Sequence, residues 1–198
     1  KISNFTCIVL IIFLCISCSN KKIQKSVINE NSLDLQVLEA YKEGMVSLES
    51  GDVLYAAKKF NEAEVLFPQS DWAPKSALMA AYSYYTQDYY GDAIAELERF
   101  LKVYPKHKNI DYANYLLAIC YYEQIVDEKK DLKSINKSKE LFTRVIQKYP
   151  NTDFSLDAEF KLDLINDILA SKEMYVGRYY IDRKKWIAAI NRFKFVID

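Results

Sequence analysis

The chain has 198 residues, 51% of them hydrophobic and 27% charged, with 27 basic side chains balanced by 27 acidic ones. That length supports one folded body of ordinary size, and a net charge of zero supplies no field to draw in nucleic acid. A single histidine leaves too few ligands for most metal or triad chemistry, and four glycines and four prolines leave little room for flexible linkers.

Lys1 precedes an apolar run from Phe5 to Ile16, which breaks at Ser17-Cys18 and passes into polar Ser19-Asn20-Lys21-Lys22. A hydrocarbon core needs about 20 apolar residues, so this run is too short to span one and reads as the core of a secretion signal. The small Ser17 before Cys18 is similar to a bacterial lipoprotein cleavage box, although Cys15 stands where leucine is usual. Residues 1–17 are then the signal, Cys18 is the lipidated first residue, and 18–32 form a polar tether; an ordinary cleaved signal is the alternative. Two or more acyl chains on Cys18 anchor a protein stably, where one holds it only marginally. The residue directly after Cys18 is Ser19 and not an acidic one, a pattern that resembles the sorting signal for the outer membrane. Cys7, Cys15 and Cys18 are absorbed by the signal and its junction, so Cys120 is the one thiol left in the mature chain. A disulfide within that chain is excluded, and Cys120, between Ile119 and Tyr121, reads as a small buried hydrophobe.

Apolar residues then recur at a helical period over Leu33 to Glu49, Val53 to Leu66, Ala73 to Thr86, Tyr90 to Val103, Asp111 to Val126 and Ser134 to Lys148. Breaks fall at Ser50-Gly51-Asp52, at Gln87-Asp88 and at each proline, and Pro68 to Pro74 reads as a linker. A charged insertion from Asp127 to Ile135 separates the fifth helix from the sixth. Past Pro150 the pattern Phe154, Ala158, Leu162, Ile165, Leu169 runs on without Gly or Pro, which predicts one long helix from about Thr152 to Asp182.

These helices pair under one grammar. Gly44 is followed twelve residues on by Ala56, then by Phe60 after four and Pro68 after eight; Ala81, Ala93, Leu97 and Pro105 repeat the same steps. Ala118, Ser138, Phe142 and Pro150 keep the last two steps, with twenty residues in place of twelve, and Gly177, Ala189 and Phe193 open a fourth unit. The pattern resembles the tetratricopeptide repeat, in which a small residue lets two antiparallel helices approach and an aromatic fills the gap beyond. The predicted fold is all-α: tandem tetratricopeptide-like hairpins forming a right-handed α-solenoid over residues 33–198, with about four hairpins, the last incomplete.

Each first helix carries a second apolar stripe that its own hairpin does not use. Tyr41 and Met45 belong to it in the first hairpin, Leu78, Tyr82 and Tyr85 in the second, and Tyr112, Tyr115 and Tyr122 in the third. First helices line the concave wall of stacked hairpins, so this stripe predicts an aromatic trough; packing between hairpins is the alternative use of the same rings. His107 lies in the turn Pro105-Lys-His-Lys-Asn109, where a solvated side chain is expected, and Asn109 and Asp111 read as helix-capping groups. No catalytic set, metal or cofactor is implied.

Two stretches sharpen the picture: Arg99-Phe-Leu-Lys-Val-Tyr-Pro-Lys-His-Lys-Asn-Ile-Asp-Tyr112 with Tyr121-Tyr-Glu-Gln-Ile125, and Arg178-Tyr-Tyr-Ile-Asp-Arg-Lys-Lys-Trp-Ile-Ala-Ala-Ile-Asn-Arg-Phe193. Together with the N-terminal pattern, they resemble the BamD family, repeat lipoproteins of the outer-membrane β-barrel assembly machinery. The sequence departs from that family at Cys15 and at Lys108, where proline is common. The resemblance implies a non-catalytic scaffold, lipid-anchored at the periplasmic face of the outer membrane, that helps deliver unfolded outer-membrane proteins. Its partners would be the barrel-forming subunit and the accessory lipoproteins, with no role for nucleic acid. It implies substrate recognition by the early repeats, docking on the barrel-forming subunit by the later ones, where Arg178 and Arg192 fall, and a further hairpin past Asp198. A repeat lipoprotein serving peptidoglycan enzymes or pili is the competing class.

Overall fold

Small residues at helix crossings set the architecture. The computed structural model describes residues 30–125 and 132–197, and all regular structure among them is helical. The helices are α1 (Glu30–Glu49), α2 (Val53–Leu66), α3 (Trp72–Tyr85), α4 (Tyr90–Val103), α5 (Ile110–Glu123), α6 (Leu132–Lys148), α7 (Asp153–Asp182) and α8 (Trp186–Ile197). From α2 onward each helix packs on its sequence neighbours, and α5 also touches α7. The described residues from 31 onward pack as one unit.

Gly44 shows why the first pair needs a small residue: a methyl group there would lie 2.9 Å from Phe60 Cδ1 and Cε1. Gly177 stands in the same relation to Phe193, whose ring a methyl group would overlap. Where the repeat has Ala118, Ser138 supplies the facing small residue, and its hydroxyl donates to the Ala118 carbonyl at 3.2 Å. Phe60, Leu97 and Phe142 are fully buried, whereas Phe193 is only half-buried. Phe60 and Phe193 thus press first against their own hairpin's small residue, a contact the reading of them as plugs between hairpins did not include.

The turns inside the hairpins follow a further rule. Gly51, Asp88 and Lys184, each seven residues past the small residue of its unit, all have positive φ, at 85°, 63° and 59°. The left-handed residue reverses the chain so that α2, α4 and α8 fold back on the helices before them. Gln87 Nε2 donates to the Gly51 carbonyl at 2.7 Å, which ties the second turn to the first. Glycine adopts this conformation without cost, while a residue with a Cβ loses about 1–2 kcal/mol. Lys184→Gly is expected to raise stability by about 0.5–1 kcal/mol, after the extra freedom glycine gives the unfolded chain is counted; a urea titration giving an unchanged or lower midpoint contradicts this.

Local chemistry fixes the ends. Asp52 Oδ1 accepts the Tyr55 N–H at 3.1 Å ahead of α2. Thr152 and Ser155 exchange side-chain and backbone hydrogen bonds at 3.1 and 3.2 Å, a capping box that starts α7. Three expectations need correction. The linker stops short of Pro74: Ala73 and Pro74, counted in the linker as well as in the expected helix, lie in α3, which starts one residue earlier at Trp72, since a proline in the first helical turn lacks only an N–H that the helix does not use. Asn109 precedes α5 without a side-chain capping bond. His107 is half-buried, not solvated: its ring packs edge-on against Phe100 at 5.6 Å.

The long helix is present over 30 residues, Asp153 to Asp182, with α8 folded back against its C-terminal part. Its first half packs on α6 and α5 through Ala158 and Ile165. Between the first two hairpins the join is polar. Glu64 of α2, buried, accepts both arms of the Arg99 guanidinium of α4 at 2.8 and 2.6 Å and the Tyr104 hydroxyl at 2.7 Å. Arg99 Nε also donates to Glu96 at 2.9 Å.

Candidate functional site

A cleft of about 440 Å³ opens beside α1, α3 and the start of α5. Tyr41, Leu78, Tyr82 and Tyr112 line it, together with Met79, Lys75, Lys108 and Asn109. The helical period places these residues together: Tyr82 stands one turn after Leu78 on α3, and the stacking of first helices aligns Tyr41 and Tyr112 on either side. Tyr41 is fixed from behind by Phe60 and Trp72, with ring centroids 5.2 and 5.0 Å away. Tyr112 rests on Phe154 of α7 at 5.4 Å, and burial pushes its hydroxyl pKa up to about 12. Leu78 is buried, while the three tyrosines are half-buried.

The other four residues of the stripe do not line this cleft. Met45 packs into the first hairpin with Ala56, Ala57 and Phe60. Tyr85 leans on Tyr82 and Tyr90 at 6.3 and 6.2 Å. Tyr115 stacks on Phe154 at 5.3 Å and donates to Asp157 Oδ2 at 2.6 Å. Tyr122 lies edge-on to Phe142 at 6.3 Å, with Lys161 Nζ 5.0 Å from its ring centre. The first turns of α7 therefore engage the third hairpin's share of the stripe, and the open part is the share of the first two hairpins and the start of the third.

Lys75 and Lys108, which the periodicity of apolar residues had no means of selecting, give the cleft its charge. Lys75 is half-buried, with its Nζ 4.6 Å from the Trp72 ring centre. Burial first, then the ammonium groups of Lys108 and Lys75, hold the His107 imidazole below its usual pKa. No acidic residue lines the cleft.

On the last hairpin Arg178 is exposed, and Arg192 donates to Glu173 at 3.0 Å while bordering a small cleft with Tyr180, Ala188, Asn191 and Phe195. Trp186, Ile187, Ile190 and Phe195 are more than half exposed around it. Cys18 lies outside the described residues. Cys120 is fully buried, and burial pushes its thiol up to about 12, far from a nucleophile's range. Among the described residues, no cluster of His, Cys, Asp and Glu could hold a metal, and no helix is long and apolar enough to cross a membrane.

Paired helices crossing at small residues and stacked in register define a tetratricopeptide-like helical repeat protein. The sequence pattern of the YfiO family, described as outer membrane lipoproteins, matches residues 33–198, and the chain belongs to that family. It is similar to the outer membrane protein assembly factor BamD of Caulobacter vibrioides, 41% identical over 80% of this chain and 52% of the relative. It is also similar to the proteins of the same name from Rickettsia prowazekii, 36% identical over 100% of this chain and 77% of the relative, and from Neisseria gonorrhoeae, 33% identical over 83% and 65%. The chain thus spans about half the length of the first of these relatives and three quarters of the second.

Proposed function

We propose that this chain is a non-catalytic scaffold of the machinery that assembles β-barrel proteins into the outer membrane, held at the periplasmic face by acyl chains on Cys18. In this reading residues 1–17 are the secretion signal, 18–32 the tether and 33–198 the working body. The tyrosine cleft binds a segment of an unfolded barrel protein, and the last hairpin docks on the barrel-forming subunit. The observation that carries the reading is the cleft of Tyr41, Tyr82 and Tyr112 over Leu78, because rings with hydroxyl edges take up alternating apolar and polar side chains of an unpaired strand. The names of the relatives support the assembly role, and the exposed apolar side chains around Arg178 and Arg192 support docking at that end.

Tyr82→Ala together with Tyr112→Ala is expected to weaken binding of a peptide from the last strand of a barrel protein by about tenfold or more, since two aromatic contacts are removed. The titration is read by fluorescence anisotropy, alongside the unfolding midpoint. Unchanged affinity in a folded variant rules out the cleft as the binding site. Arg192→Glu is expected to reduce co-purification with the barrel-forming subunit, and an unchanged yield rules out its docking role.

A further inference from the structure

The turn between α7 and α8 differs in charge from its counterparts. Lys184 marks it by a positive φ, as Gly51 and Asp88 mark the turns of the first two hairpins. Those two read Ser50-Gly51-Asp52 and Gln87-Asp88-Tyr89, each with one acidic residue and no basic one, whereas the last reads Arg183-Lys184-Lys185. All three cations are exposed, and none is in an ion pair among the described residues; Arg183 lies instead over the Tyr179 ring, 4.3 Å from its centre. Residues 172–198 hold seven basic and three acidic side chains in a chain whose total charge is zero, so positive charge is gathered on this hairpin.

An apolar side chain stands beside these cations. Ile187, three residues past Lys184, is 78% exposed. Leu54 holds the same place after Gly51 and stays 54% exposed although α3 packs on α2. Gly91 holds it after Asp88, and a methyl group there would meet open space. The place thus faces outward in hairpins that have a successor, and packing between hairpins does not account for an isoleucine in it.

We propose that this turn rests on an anionic phospholipid surface, with Arg183, Lys184 and Lys185 against the phosphates and Ile187 entering the boundary beneath them. Basic side chains next to an exposed apolar one suit the zone between headgroups and acyl chains. A fluid headgroup layer supplies phosphates wherever three cations on a bend fall, whereas an acidic protein face has to match one fixed arrangement. The family to which the chain belongs is one of outer membrane lipoproteins, so a headgroup layer is the surface at hand. None of these side chains lines the cleft beside Arg192, and the contact does not depend on the docking proposed there. Beside the acyl chains proposed on Cys18 it supplies a second hold, and one chain with a basic patch anchors where one chain alone does so only marginally.

The test places the full chain on vesicles of phosphatidylcholine, either alone or with about one quarter phosphatidylglycerol, both containing shallow-brominated lipid. Trp72→Phe leaves Trp186, next to Lys185, as the one tryptophan, and its fluorescence reports contact of the turn. Quenching in the anionic vesicles is expected to exceed that in the neutral ones by about twofold or more, and the excess to vanish in high salt. Arg183→Gln, Lys184→Gly and Lys185→Gln combined should remove the excess in a protein whose urea midpoint shows it to be folded, and Lys185→Gln alone should remove part of it. Ile187→Ser should weaken quenching in the anionic vesicles with the cations intact, and an unchanged value overturns the part given to Ile187. Equal quenching in the two vesicle types overturns the inference, as does an excess that survives the triple variant. An acidic protein surface is the other occupant: if the vesicles give no excess while the triple variant loses co-purification with the barrel-forming subunit, the turn belongs to that interface and the lipid contact is overturned. The vesicles hold no other protein, so failure here leaves the docking role of Arg192 standing, and failure of Arg192→Glu leaves the lipid contact standing.

Discussion

Phe60→Ala is expected to destabilise the protein by about 3–5 kcal/mol, the usual cost of deleting a fully buried phenylalanine ring. The ring has no exposed surface, lies edge-on to Tyr41 at 5.2 Å and fills the space where a methyl group on Gly44 would stand. Its loss empties the crossing of α1 and α2 and removes the support behind one wall of the tyrosine cleft, so peptide affinity should fall with stability. The complementary change is Gly44→Ala. A methyl group 2.9 Å from a ring with no room to retreat costs about 1–3 kcal/mol, offset by about 1 kcal/mol of helix propensity. In a Phe60→Leu background the smaller side chain leaves space, and the same alanine should become neutral or favourable. Urea unfolding of the four proteins measures the coupling. A loss below about 1 kcal/mol for Phe60→Ala, or an alanine equally harmful in both backgrounds, contradicts the packing described here.

Arg99→Met is expected to cost about 2 kcal/mol. The Glu64 carboxylate is 7% exposed and would keep only the Tyr104 hydroxyl of its three donors. Breaking a fully buried pair costs about 3–5 kcal/mol, but the Arg99 side chain is 39% exposed, and solvent screening lowers the figure. Adding Glu64→Gln to Arg99→Met removes the stranded charge and should recover about half of the loss. Because the network joins α2 to α4, the single variant should also loosen the first hairpin relative to the second, seen as faster amide exchange in α1 and α2 than in α5 and α6. If the double variant is as unstable as the single one, the stranded carboxylate is not the source of the cost.

These two sites differ in how far the amino-acid sequence announces them. The Gly44–Phe60 crossing follows from a spacing that recurs as Ala81 to Leu97 and Gly177 to Phe193, always sixteen residues, so local pattern and tertiary contact coincide. The same holds for the length of α7, which needs only an unbroken apolar period. The Glu64 network does not, because its members are 35 and 40 residues apart and charged side chains at helix surfaces ordinarily face water. A signal did exist: Glu64 follows Ala63 on the buried side of α2, where a charge demands a partner. The left-handed turns were likewise available as a step of seven from Gly44, Ala81 and Gly177, but Asp88 and Lys184 disguise it by standing where Gly51 makes it plain.

The candidate site was legible in part for the same reason. Periodicity selects which face of a first helix is apolar, and that yields Tyr41, Leu78, Tyr82 and Tyr112. It carries no information about which later element crosses that face, so the engagement of Tyr115 by Asp157 and Phe154 of α7 could not be foreseen. Nor does it register Lys75 and Lys108, whose placement depends on where the turn before α5 comes to rest.

The uninterrupted run of α7 makes helix length a setting of angular phase. Its early turns are locked to the third hairpin through Ala158 and Ile165, and its late turns carry Gly177 and the pairing with α8. Each residue added or removed between Ile165 and Gly177 would rotate everything after it by about 100° and shift it by about 1.5 Å along the axis. The last hairpin would still close on itself, yet Arg178 and Arg192 would point along a different compass bearing from the tyrosine cleft. An insertion of that kind separates folding from alignment: the tyrosine cleft and the last hairpin would each keep their own shape while facing directions that no longer match.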